Sequence, residues 1–186
     1  MAADARPDGR EAELSDTIFA LSSGAPPAAV AVVRISGPLA DAALAGLAGT
    51  LPEPRRATLV TLRHEGETLD TALALRFPGP RSATGDDIAE LHLHGGRSVV
   101  AAVLAALATI AGLREARPGE FTRRAFENGR IDLAEAEGLA DLLAAETQSQ
   151  RRAALALAGG ALSRQVEDWR QRLLDEAARI EAELDF

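Results

Sequence analysis

The sequence predicts an α+β domain followed by an all-helical segment. Two observations carry this. Between Asp16 and Gly96, short β-rich runs are set apart by Gly and Pro breakers, and they do not alternate with helices as in a parallel doubly wound sheet. From Thr122 onward no strand signal is present, and apolar residues recur at steps of three and four.

Thr17 to Leu21 and Val30 to Ile35 read as two strands around a Gly-Ala-Pro-Pro breaker. Leu39 to Leu47, opened by a proline, reads as a short helix. Ala57 to Arg63 and Thr71 to Phe77 form a hairpin about Glu65-Gly66-Glu67. A loop rich in Pro and Gly leads to Ile88 to His94, whose alternation is that of a half-buried strand. Val99, Val100, Val103, Leu104, Leu107 and Ile110 then mark a buried helix to about Ala111. Asp132 with Glu135, and Thr147 with Gln150, have the spacing of capping boxes. The last segment carries one apolar seam, Leu162, Val166, Trp169, Leu173, Ala177, Ile180 and Leu184, suited to a partner helix or to the α+β domain. The expected organisation is a frayed tail over residues 1–15, an α+β domain over 16–121 and a helical segment over 122–186.

Composition bounds the function. Apolar residues are 47% of the chain and charged residues 26%, the balance of a globular protein. There is no signal-like start and no apolar run of about 18 residues, so a cytoplasmic location is expected, with no membrane partner. Zero cysteines exclude disulfides and thiolate chemistry within the chain. A net charge of -8 argues against a broad grip on phosphate backbones, so any RNA must be held largely by another surface or subunit.

Three charged residues stand out. Glu90 sits on the strand that follows the Gly- and Pro-rich loop. A pterin ring presents two adjacent N–H donors that one carboxylate accepts bidentately, which makes Glu90 a candidate anchor; a solvated strand carboxylate is the plainer alternative. Arg34 interrupts an apolar strand, where a guanidinium needs either a ligand or an acidic neighbour. Arg130 follows Asn128-Gly129 at a turn, where a surface role is the ordinary reading. His92 and His94 share a strand face at a metal-ligand spacing, but no third ligand of suitable spacing follows, so no metal site is assigned. No Gly-x-x-x-x-Gly-Lys-Ser/Thr phosphate loop and no catalytic triad pattern occur, so GTP binding and catalysis by these residues alone are not expected.

Asp16-Thr17-Ile18, Arg34-Ile35-Ser36-Gly37-Pro38, Phe77-Pro78-Gly79-Pro80, Thr84-Gly85-Asp86-Asp87, His94-Gly95-Gly96 and the block from Arg117-Pro118-Gly119-Glu120-Phe121 to Glu137 fall in one order along the chain. In that order and spacing the chain resembles the tRNA-modification GTPases of the MnmE (TrmE) family from about Asp16 to Phe186. The resemblance implies an amino-terminal mixed-sheet tetrahydrofolate-binding domain that also forms a homodimer, then the first part of a helical domain. It implies 5-formyl- or 5,10-methylene-tetrahydrofolate as the cofactor. GTP, magnesium and potassium would enter only through a GTPase domain that this sequence lacks. Full members act with the flavoprotein MnmG (GidA) to modify carbon 5 of the tRNA wobble uridine. Carried over by position, Arg34, Glu90 and Arg130 match folate-contacting residues; the last is commonly lysine in the family. Gly24 to Ala29 departs from a Pro-Pro-Gly-Arg-Gly-Gly loop found in many members. Two other functions compete with this one: a stand-alone folate-dependent one-carbon transferase, and a pure assembly module.

Overall fold

The computed structural model describes residues 16–184, so the tail expected over residues 1–15 lies outside the described residues. The described residues divide into two units, one ending at Asn128 and one beginning at Gly129.

The first unit is built on a six-stranded mixed sheet. Its strands are β1 (Thr17–Leu21), β2 (Val30–Ser36), β3 (Thr58–His64), β4 (Glu67–Phe77), β5 (Ile88–His94) and β6 (Leu113–Glu115), in the spatial order β3-β4-β5-β2-β1-β6. All neighbours are antiparallel except β1 and β6. Helices α1 (Ala40–Ala48) and α2 (Arg97–Ala108) contribute to a single core. Because side chains alternate along a strand, Ala31, Val33 and Ile35 of β2 and Ala89, Leu91 and Leu93 of β5 all enter that core. They meet Leu44 and Leu47 of α1 and Val103 and Leu107 of α2. The other face of the sheet carries Arg34, Glu90 and His92, and with them Leu59 and Leu73, which stay 68% and 44% exposed. Ile88 is buried but has the parity of Glu90, so the two share a face.

Several elements differ from expectation for identifiable reasons. β4 starts at Glu67 rather than Thr71, because the two-residue turn Glu65-Gly66, with positive φ at both positions, pairs the polar stretch Glu67 to Asp70 with β3 regardless of hydropathy. The three-residue β6 is too short to show a period. Helix α3 (Glu120–Glu127) buries Arg124 and Ala125, so its inward face carries no apolar stripe to detect. Helix α2 ends at Ala108, where the Thr109 hydroxyl donates to the Ala106 carbonyl at 2.7 Å, ahead of the turn at Gly112.

The second unit holds α4 (Leu133–Ala144), α5 (Gln148–Ala158) and α6 (Ala161–Leu184). Both expected capping boxes are formed. Asp132 Oδ1 accepts from Glu135 N and Glu135 Oε2 from Asp132 N, each at 2.8 Å; Thr147 and Gln150 repeat the exchange. Among the described residues none of α6 is buried, and Trp169 on its seam is 51% exposed.

Helices α4 and α5 cross at Gly138, where a Cβ would lie 2.3 Å from Ala158 N and 2.9 Å from its Cα. Backbone atoms cannot yield as a side-chain tip can, so the helices must part to admit a methyl group. Gly138→Ala is expected to destabilise the helical unit by about 1–3 kcal/mol. Urea unfolding followed by circular dichroism would show this as a lowered midpoint, and an unchanged midpoint would refute the close crossing.

Candidate functional site

The sequence motifs converge on one polar network at the end of the sheet. Arg124, 2% exposed, projects from α3 and donates through Nη1 to the carbonyl of Asp16 at 2.8 Å and through Nη2 to the Asp16 carboxylate. Glu120 and Asp86 each stand 3.7 Å from the same guanidinium. Three carboxylates around one buried cation is the arrangement that burial demands, since an uncompensated charge there costs several kcal/mol. Arg114 extends the network by bonding both Asp16 and Glu120.

The loop before β5 is fixed to the same cluster. Asn128 Nδ2 donates to the Thr84 carbonyl at 2.7 Å and to Asp86 Oδ1 at 3.1 Å. The Thr84 and Ser36 hydroxyls bond at 2.7 Å, and Gly37 N donates to the Asp87 carbonyl at 2.9 Å. Gly37 is required at its position: φ is +134°, and a Cβ would sit 2.6 Å from the Asp16 carbonyl oxygen. Most of the motif residues are thus structural, and their shared effect is to hold the 78–87 loop against β2 and α3.

Arg34 and Glu90 are direct cross-strand partners on β2 and β5. Arg34 Nε and Nη2 donate to Glu90 Oε1 at 2.9 and 2.7 Å, and the guanidinium stands 5.6 Å from the centroid of the Phe121 ring. Of the two readings open for Arg34, the structure contains the acidic neighbour. Glu90 Oε1 is occupied, while among the described residues the nearest partner of Oε2 is His92 Nε2 at 3.4 Å. A ligand N–H therefore has an oriented acceptor in Oε2, but a bidentate grip needs Oε1 to be shared with Arg34.

Glu90 also lines a cavity of about 220 Å³ with Ile88, Phe77, Ser82, Ala83, Arg55 and Arg81. Arg55 and Arg81 carry no signal in the sequence, because both lie in loops. Arg130 is exposed and belongs to the second unit, whereas Arg34 and Glu90 meet within the first. His94 is drawn to Asp70, whose Oδ1 lies 2.7 Å from His94 Nδ1. Among the described residues no group of three His, Cys, Asp or Glu is placed to hold a metal ion.

A mixed-sheet domain carrying this network, followed by helices with paired capping boxes, defines a two-part family arrangement. Residues 17–130 match the family described as "GTP-binding protein TrmE N-terminus", and residues 133–186 match the "MnmE helical domain". The chain belongs to the TrmE (MnmE) family. It is 68% identical over 175 residues to the tRNA modification GTPase MnmE of Novosphingobium aromaticivorans, covering 93% of the chain and 40% of that relative. It is 67% identical to the protein of the same name from Rhizorhabdus wittichii, covering 94% of the chain and 41% of the relative. The chain thus spans about two fifths of the length of the curated relatives it matches.

The network has a pH signature. The bond from Arg114, the backbone N–H of Arg117 and the nearby Arg124 hold the Glu120 carboxyl down at about 2, against an ordinary 4.5. A depressed carboxylate stabilises the fold above its unfolded value, and that contribution is lost as pH falls from about 4.5 through about 2. Asp86 works in the opposite sense, because burial raises its carboxyl. Glu120→Gln is expected to lower the melting temperature at pH 7 and to flatten its decline below pH 4.5. An acid limb as steep as that of the unsubstituted chain would contradict this assignment.

Proposed function

We propose that this chain is the folate-binding and dimerising part of a tRNA-modification GTPase acting on the wobble uridine, the 5-carboxymethylaminomethyluridine pathway. The observation that carries the reading is the oriented Glu90 carboxylate, fixed by Arg34 and opening onto a cavity with an aromatic and aliphatic wall. Glu90 Oε2 accepts a pterin N–H, and the two bonds from Arg34 keep the carboxylate correctly turned. Ile88 and Phe77 supply the apolar surface that a flat heterocycle buries. A 5-formyl- or 5,10-methylene-tetrahydrofolate is the ligand in this reading, and Arg130 is kept as a further contact on family resemblance alone.

Dimerisation is supported by the sheet face that α1 and α2 leave open, where Leu59 and Leu73 are exposed neighbours. The partners are then a second copy, the flavoprotein MnmG and, through that complex, tRNA. A surface of net charge -8 agrees with tRNA being held largely elsewhere. GTP hydrolysis needs a phosphate loop that these 186 residues lack. No described helix is long and apolar enough to cross a membrane.

One observation favours the assembly-module reading: Arg34 already occupies Glu90 Oε1, one of the two oxygens that a bidentate grip on a pterin needs. Titration with 5-formyl-tetrahydrofolate separates the two. Binding is expected, weakened in Glu90→Ala by about 1.5–3 kcal/mol, the range for losing a charge-assisted acceptor. No binding by the unsubstituted chain rejects the folate site.

Dimerisation is tested independently. Leu59→Glu on the open face is expected to give a folded monomer by analytical ultracentrifugation at micromolar concentration, against a dimer for the unsubstituted chain. A monomer in both would remove that part of the proposal.

A further inference from the structure

The cavity beside Glu90 is charged unevenly, with one carboxylate at Glu90 and two guanidinium groups, Arg55 and Arg81. Elsewhere in the sheet unit the arginines that matter to the fold face carboxylates: Arg34 with Glu90, Arg76 with Asp41, Arg114 and Arg124 with Asp16. Among the described residues neither Arg55 nor Arg81 has a carboxylate within 4.0 Å. In a chain of net charge -8, two arginines with no such partner among the described residues form a local positive field.

Arg55 is held in place. Its backbone adopts a positive φ of 61°, uncommon for a residue with a side chain, and its N–H donates to the Arg76 carbonyl at 2.9 Å. Its guanidinium donates to the Arg81 carbonyl and stands 5.6 Å from the centroid of the Phe77 ring. The two arginines are thereby tied to each other and to the aromatic wall. A guanidinium offers five N–H donors, so the bond to Arg81 leaves Arg55 further donors for an anion.

About 220 Å³ lies below the roughly 300–1,000 Å³ of ordinary small-molecule sites. A bicyclic head fits, but the aminobenzoyl-glutamate tail of a folate must continue outside the cavity. We propose that Arg55 and Arg81 form a rim that recognises the carboxylates of this tail, so that the site prefers folates bearing a γ-linked chain of several glutamates over the monoglutamate. Each added glutamate brings one more net negative charge to the two guanidinium groups. The inference rests on the folate reading of the Glu90 site and adds the class of ligand that the site selects.

The test is isothermal titration of the full chain with the mono- and triglutamate forms of 5-formyl-tetrahydrofolate, repeated with Arg55→Ala/Arg81→Ala. The unsubstituted chain is expected to bind the triglutamate about tenfold more tightly at low salt, the scale of two exposed charge pairs, with the difference shrinking as salt rises. The double variant should bind the two forms alike, and both more weakly than the unsubstituted chain binds the triglutamate. Equal binding of the two forms by the unsubstituted chain, or a preference that survives in the double variant, overturns the rim. Binding of neither form is a different result: it rejects the folate site itself, and the rim with it.

Discussion

The buried guanidinium of Arg124 is the constraint around which the first unit is arranged. A charge removed from water must be met by opposite charge and by acceptors. Asp16 comes from the chain entering β1, Asp86 from the loop before β5, and Glu120 from the start of α3. One residue thereby ties together three segments that are far apart in sequence. The 78–87 loop owes its position to this cluster and to Asn128, and the cavity beside Glu90 is walled by that loop. The loop wall of the site is therefore positioned by electrostatics at the edge of the apolar core, while Arg34 and Glu90 are held by the core strands β2 and β5.

Much of the fold was legible because hydropathy follows geometry in β1, β2, β5 and α2, where one face is buried and one is not. The capping boxes at Asp132 and Thr147 were equally readable, since their signal is local. What escaped was decided by distant partners. Helix α3 points a guanidinium inward, β6 exists only as a neighbour for β1, and the first residues of β4 are strand because the Glu65-Gly66 turn sets their register. The candidate site divides the same way. Arg34 was conspicuous as a charge inside an apolar strand, and Glu90 followed from the glycine-bounded strand it sits on. Their pairing follows from the β2–β5 register, which no local pattern reveals. Arg55 and Arg81 were silent, because a loop arginine looks the same whether it faces solvent or a cavity.

The Arg34–Glu90 pair and the Arg124 cluster show two uses of the same chemistry. Arg124 is enclosed by three carboxylates and serves the fold. Arg34 meets a single carboxylate oxygen, rests against the ring of Phe121 and stays partly exposed, so the pair keeps one acceptor in reserve. The block from Arg117 to Phe121 contributes to both, with Glu120 on one side and Phe121 on the other.

The connection between β1 and β2 meets the end of β5 through main-chain atoms alone. Ala28 N donates to the Gly95 carbonyl at 3.0 Å, and a Cβ on Gly95 would lie 2.3 Å from the Ala28 carbonyl oxygen. The bareness of Gly95 lets two backbones touch, and the identity of the opposing side chains does not enter. The approach of residues 24–29 to the strand end is thus written in the backbone and in the missing side chain of Gly95, which separates the route of that loop from the chemistry it carries.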